Sequence, residues 1–166
     1  MALLDFVKEA GEKLLHLGGA KAATPAGLSP EQAQANLKAA NDAAGDAILA
    51  YIRTQNLTAT GLTVTFDGAS STATVYGVAP DQATREKIVL CAGNVEGVAQ
   101  VNDMMSVDRS EPESTFYTVV SGDTLSKISK TAYGDPNKYM KIFEANKPML
   151  KDPNKIYPGQ KLRIPQ

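Results

Sequence analysis

Phe116-Tyr117-Thr118-Val119-Val120-Ser121-Gly122-Asp123-Thr124-Leu125-Ser126-Lys127-Ile128-Ser129 and Ile156-Tyr157-Pro158-Gly159-Gln160-Lys161-Leu162-Arg163-Ile164-Pro165 decide the fold of the last third of the chain. The first run opens as a short strand. Gly122 permits a tight bend, and Ser121 or Asp123 is placed to accept the free amides of a following helix. Leu125, Ile128 and Ala132 then recur at helical spacing and point inward. Tyr133-Gly134-Asp135-Pro136 ends that helix and begins another, along which Tyr139, Ile142, Phe143 and Asn146 follow. In the second run Pro158-Gly159 turns the chain into a closing strand. The order over residues 116–166 is β-α-α-β.

Upstream, Asp108-Arg109-Ser110-Glu111-Pro112-Glu113-Ser114-Thr115 has the polar, Pro-containing composition of a linker, so a boundary is expected across 109–115. Residues 29–108 read as a separate unit. Ser29-Pro30-Glu31-Gln32 is a helix start with a capping box, and Ala33, Leu37, Ala40, Ala44, Ile48 and Tyr51 make one apolar face as far as Arg53 to Asn56. Leu62, Val64 and Phe66 alternate with threonines as in a half-buried strand. Gly68 turns the chain into a second strand over Thr72 to Val78. Ala79-Pro80-Asp81 opens a helix with Ala83, Ile88, Val89 and Ala92 toward the core, Gly93-Asn94-Val95-Glu96-Gly97 ends it, and Val98 to Val107 supplies a third strand. This is α-β-β-α-β, a sheet covered on one face by helices. Before it, residues 1–28 hold a short amphipathic helix through Leu3, Phe6, Val7, Ala10 and Leu14, then a Gly-Ala-rich flexible link. The fold class is therefore α+β, with two small domains.

The 166 residues carry a formal charge of −1, which supplies no general attraction to nucleic acid or anionic lipid. The charge is unevenly divided: from Phe116 onward 9 Lys+Arg face 4 Asp+Glu, and before it 8 face 14. An acidic lobe beside a basic one is open to two readings, chance asymmetry of two solvated faces or docking of the two domains, and contact is expected when ligand is bound. Trp is absent and aromatics are 6%, which excludes a glycan surface built on Trp platforms. The lone Cys91 allows no intrachain disulfide, the amino terminus lacks a continuous apolar leader, and no stretch approaches a membrane span, so a cytoplasmic location is expected. The single histidine, His16, sits just before a Gly-Gly link and reads as inert, and Cys91 reads as a small buried hydrophobe. No zinc spacing, EF-hand loop or phosphate-cradling motif is present, so a non-catalytic binding protein is expected.

The V-x-S-G-D-T-L, F-E-A-N-K and I-Y-P-G-Q-x-L-R-I-P runs of residues 116–166 resemble a LysM domain. Residues 29–108 resemble a BON domain through Leu62-Thr63-Val64-Thr65, Val75-Tyr76-Gly77-Val78 and Val95-Glu96-Gly97-Val98-Ala99-Gln100-Val101-Asn102-Asp103. The two together, behind Phe6-Val7-Lys8-Glu9-Ala10-Gly11-Glu12-Lys13-Leu14, resemble the bacterial BON–LysM potassium-binding protein family. That resemblance implies a cytoplasmic K⁺ sensor or buffer that changes conformation when it binds. Potassium is held by rings of backbone carbonyls, and helix ends leave carbonyls free. The segments that match the family there offer Val7 and Ala10 from the first helix, with Gly93, Val95 and Gly97 from the loop after the second BON helix. LysM alone implies a second reading, a peptidoglycan or N-acetylglucosamine binder of the cell envelope. Its groove would lie between Gly122, Asp123, Thr124 and Leu125 on one side and Ile156, Tyr157 and Pro158 on the other.

Overall fold

The computed structural model describes residues 29–109 and 112–166. The N-terminal helix, with Val7, Ala10 and His16, lies outside the described residues.

Helix α1 spans Pro30–Thr54. The Ser29 hydroxyl accepts the Gln32 N–H while the Gln32 side chain accepts the Ser29 N–H, with Pro30 at the first helical position. Strands β1 (Thr60–Asp67) and β2 (Thr72–Ala79) form an antiparallel hairpin. Asp67 closes its turn by accepting the Ala69 N–H and the Ser70 hydroxyl, and Asn41 of α1 accepts the Gly68 N–H. Helix α2 (Gln82–Gly93) then crosses over so that β3 (Gln100–Val107) pairs parallel with β2, giving the sheet order β1-β2-β3.

One face of this sheet makes the core. Leu62, Val64, Phe66, Ala73, Val75 and Met105 meet Ala44, Ile48 and Ile52 from α1 and Ile88, Cys91 and Ala92 from α2. Ile48, Ile52 and Ile88 are fully buried, each contributing about 1.5–3 kcal/mol relative to exposure. The expected inward face of α1 holds only from Ala44 onward. Leu37 is 52% exposed, and Ala33 and Ala40 are partly exposed. A 25-residue helix is about 37 Å long, whereas an eight-residue strand spans about 27 Å. The first turns of α1 therefore run past the sheet.

The C-terminal domain follows the expected β-α-α-β order. It contains β4 (Thr115–Thr118), α3 (Leu125–Tyr133), a 3₁₀ turn (Pro136–Lys138), α4 (Tyr139–Ala145) and β5 (Lys161–Ile164). β4 and β5 are antiparallel, with Tyr117 opposite Leu162. Val119, Leu125, Ile128, Ile142, Phe143, Leu150, Leu162 and Ile164 form its core. Two local expectations change. Thr124, not Ser121 or Asp123, caps α3, because the Asp123 carboxylate is engaged by the Val120 N–H and the Tyr117 hydroxyl. Ala132 is exposed, and Ser129 takes the buried position, donating its hydroxyl to the Asp135 carbonyl at 2.6 Å. In the last turn Tyr133 instead reaches the core, and its hydroxyl donates to the Pro165 carbonyl.

Gly45 sets the approach of α1 to the sheet, since a Cβ there would stand 2.6 Å from the Val64 carbonyl oxygen. Gly→Ala in an open helix stabilises by about 1 kcal/mol. Here the opposite sign is expected, because backbone on both sides resists the displacement. Thermal unfolding of Gly45→Ala should show Tm lowered by roughly 4–8 °C, the shift that about 1 kcal/mol gives a domain of this size. A raised Tm would mean that α1 lifts off freely.

Candidate functional site

Helix α2 is buried on two sides. Away from the sheet, Glu86, Leu90 and Asn94 recur every four residues and share a stripe that lies against β5. Glu86 is 4% exposed. Its Oε2 accepts from Arg163 Nε at 2.5 Å, and its Oε1 accepts the Ser114 N–H at 2.7 Å and Gln82 Nε2 at 2.9 Å. Burial alone would raise the Glu86 pKa. The hydrogen bonds from Ser114, Gln82 and Arg163 outweigh it and hold the carboxyl below its ordinary value.

Two turns further on, Asn94 caps the C-terminus of α2. Its Nδ2 donates to the carbonyls of Leu90 and Lys161, both at 3.1 Å, and its Oδ1 accepts the Lys161 N–H at 2.9 Å. Asn146, the C-cap of α4, repeats the arrangement at Arg163. Its Nδ2 donates to the Ile142 carbonyl at 2.7 Å and the Arg163 carbonyl at 2.8 Å, and its Oδ1 accepts the Arg163 N–H at 2.8 Å. One asparagine from each domain therefore stands where a third strand would pair with β5.

Beside Asn94 the two domains enclose an open pocket of about 790 Å³. The loop from Gly93 to Val98 and Tyr51 line one side, and Met149, Asp152, Tyr157 and Gly159 line the other. Tyr51 is 8% exposed, and burial pushes its phenol above the ordinary range, so it remains protonated at neutral pH. Within the loop the Val95 side chain is 4% exposed and packs in the core, and its carbonyl accepts the Val98 N–H at 3.1 Å. Among the described residues, the carbonyls of Gly93 and Gly97 accept no backbone hydrogen bond. The loop also follows the partially negative end of α2. Oxygen acceptors without formal charge suit a large monovalent cation, and Gly93, Val95 and Gly97 each bring one carbonyl to this loop. Val7 and Ala10, the other expected members, lie outside the described residues.

The two glycines serve the loop in different ways. Gly97 has φ +90°, a conformation that favours glycine. Gly93 is the last residue of α2 and matters for closeness, since a Cβ there would lie 3.3 Å from Val101 Cγ2 and 3.8 Å from Lys161 Cδ.

The two loops of the expected glycan groove lie side by side. Val119 donates its N–H to the Gln160 carbonyl and accepts the Gly159 N–H, both at 2.8 Å, which brings the two loops together. Leu125, however, is 2% exposed in the core, Thr124 caps α3, Asp123 holds Tyr117 and Val120, and Ile156 packs against the core. Gly122 and Tyr157 are exposed, and Tyr157 and Pro158 also line the pocket between the domains.

The BON domain family matches residues 32–109 and the LysM domain family residues 117–165. Over 170 aligned residues, covering 100% of this chain and 99% of the relative, the chain is 43% identical to a protein of Escherichia coli O6:H1 named Potassium binding protein Kbp. The chain belongs to this BON–LysM family. More local likenesses join it to an uncharacterized protein of Deinococcus radiodurans, 46% identical over 41% of this chain and 26% of that one. Another is YqbP of Bacillus subtilis, 40% identical over 35% of this chain and 30% of that one. BON and LysM are families of binding modules. No helix among the described residues is long and apolar enough to cross a membrane.

Glu86, Asn94 and Arg163 were absent from the residues expected to matter. The signal available for them was α2 itself, where Ile88, Leu90, Cys91 and Ala92 are apolar around most of the circumference, as in a helix covered on two sides.

Because the Glu86 pKa is depressed, its contribution is complete above the unfolded value of about 4.3 and is lost as pH falls through the lower folded value. Scattering between pH 6 and pH 3 should show the domains in contact at pH 6 and separating as pH falls below the ordinary carboxylate value. Glu86→Ala should cost about 3–5 kcal/mol in urea unfolding, because Arg163 is left buried without its counter-charge, whereas Glu86→Met with Arg163→Met should cost far less. Equal losses in the single and double variants would contradict the pairing.

Proposed function

We propose that this protein is a cytoplasmic potassium-binding protein, a sensor or buffer of the ion, that changes conformation when K⁺ binds. The observation that carries the reading is the 43% identity, over essentially the whole of both chains, to the protein named Potassium binding protein Kbp. The loop after α2 supports it from the side of chemistry. It presents backbone carbonyls at a helix C-terminus, where partial negative charge gathers without a carboxylate. Such donors favour a weakly hydrated monovalent ion over Mg²⁺, which keeps its waters and takes carboxylates. Val7 and Ala10 complete the ring in this reading.

The proposed role is binding without catalysis. Burial pushes the Cys91 thiol up to about 12, so this cysteine stays protonated rather than nucleophilic. A single, buried, free cysteine also suits the reducing interior of a cell. The two apposed loops of LysM support a second reading, glycan binding, with Gly122, Tyr157 and Pro158 accessible in part.

Calorimetry with K⁺, Na⁺ and a chitin oligomer in turn tests the proposal. K⁺ should bind, with Na⁺ weaker. Gly97→Val should abolish the K⁺ heat while LysM stays folded, because the substituted residue resists the positive φ. Heat with the oligomer and none with K⁺ would transfer the function to the glycan groove. Recovery of the protein in the envelope fraction would oppose the cytoplasmic assignment.

A further inference from the structure

Asn94 lies between two of the proposed ion ligands, and its side chain leaves the loop altogether. One amide ties three things: the last turn of its own helix through the Leu90 carbonyl, and both backbone groups of Lys161 in the other domain. We infer that Asn94 is a positioning residue through which occupancy of the 93–97 loop governs docking of the LysM domain on BON. The inference rests on the K⁺ reading above and assigns the route by which that ion acts at a distance.

The geometry points to this route for three reasons. First, the amide is a poor grip unless the loop is held. A planar amide matches the N–H and C=O of one extended residue only when its plane lies beside the strand, and the loop backbone on either side sets that plane. An ion ligated by the carbonyl of Gly93 would fix the peptide group that enters Asn94, and ligation by Val95 would fix the next peptide but one. Second, Asn146 shows the same match in a setting where helix and strand belong to one domain. There the position is set by the LysM core, with Ile142 and Phe143 buried. Asn94 makes the same contact across a domain boundary, where the end of α2, through the Leu90 carbonyl, and the loop that follows set it together. Third, the grip at Lys161 adjoins a second one. Arg163, two residues along β5, reaches Glu86 on the same helix stripe. Fixing Asn94 therefore brings Arg163 into register for its carboxylate.

Coupling of this kind is reciprocal: if the ion favours docking, docking must favour the ion by the same factor. The test uses the full chain with K⁺ titrated against choline chloride at constant ionic strength. In the wild type, amide exchange at Lys161 should slow at least tenfold on adding K⁺, while Arg163, held by Asn146, exchanges slowly throughout. In Asn94→Ala, calorimetry should still show K⁺ binding, about tenfold weaker. Arg163→Met, which loosens docking from the other grip, should weaken K⁺ binding by a similar factor in the wild-type background. Added to Asn94→Ala, it should weaken K⁺ binding no further. That non-additivity is the signature of transmission through Asn94, and loss of a helix cap alone would not produce it. Asn94→Gly, which keeps a C-cap conformation but lacks the amide, should repeat the pattern if the alanine variant fails to fold.

An Arg163→Met effect of equal size in both backgrounds would overturn the inference, and so would a K⁺ affinity in Asn94→Ala equal to that of the wild type. Absence of K⁺ binding by the unmodified protein would overturn the underlying reading instead, and shows before any variant is made.

Discussion

β5 has one strand beside it, and the N–H and C=O groups of Lys161 and Arg163 along its other edge need partners from elsewhere. An unmet polar group in a covered edge costs roughly 1–3 kcal/mol, more than a typical hydrogen bond contributes. The chain meets this constraint with two asparagine side chains in place of a third strand. An amide carries a donor and an acceptor side by side, so one residue satisfies both groups of an extended partner. The choice also prevents growth of the sheet, since each exposed edge is a template for unwanted pairing.

Satisfying one of those residues from the BON domain gives the two domains a fixed register. Lys161 takes Asn94, and Arg163, facing the same way, projects its guanidinium to Glu86. The carboxylate is then completed by Gln82 and by the Ser114 amide of the linker, so the connection between the domains becomes part of the contact. The opposite charges of the two lobes act more diffusely. Exposed charges several ångströms apart are screened over about 8–10 Å at ordinary salt, so they favour encounter more than they hold a geometry. Holding is done by the buried pair and the amide.

Short-range patterns were legible in the sequence, and contacts that span many residues were not. Pro30 after Ser29, the threonine alternation of β1 and the Ser-Gly-Asp-Thr turn all act within a few positions, and the elements they announce are present. The length of α1 that finds a surface is different. Its periodic face continues toward Ala33, but the sheet does not, and Leu37 is left exposed. The capping of α3 by Thr124 was hidden because Asp123 offered the same chemistry one residue earlier, and only the position of Tyr117 shows why it is engaged elsewhere. At the site, Gly93, Val95 and Gly97 came from resemblance to a family, since every residue has a carbonyl and no side-chain pattern marks a ring of them. Glu86 and Asn94 find partners 77 and 67 residues away. No local pattern contains such a separation.

The five residues from Gly93 to Gly97 sit where three surfaces meet, and consecutive positions face different ones. Val95 is driven into the BON core, Asn94 is bound to the LysM edge, and Gly93 and Gly97 border the pocket with carbonyls that take no backbone partner among the described residues. A loop this short has little freedom to answer each surface separately, because a rotation that re-aims one carbonyl also turns the neighbouring side chain. Anchoring Val95 removes the option of moving the loop as a whole. What remains is rotation within the loop, where the Gly93 carbonyl and the Asn94 side chain stand on adjacent residues. In the proposed reading, a weak, non-directional ligand such as a monovalent ion would select among such rotations without forming any strong bond. Its leverage on the second domain would then come from the covalent adjacency of residues 93, 94 and 95.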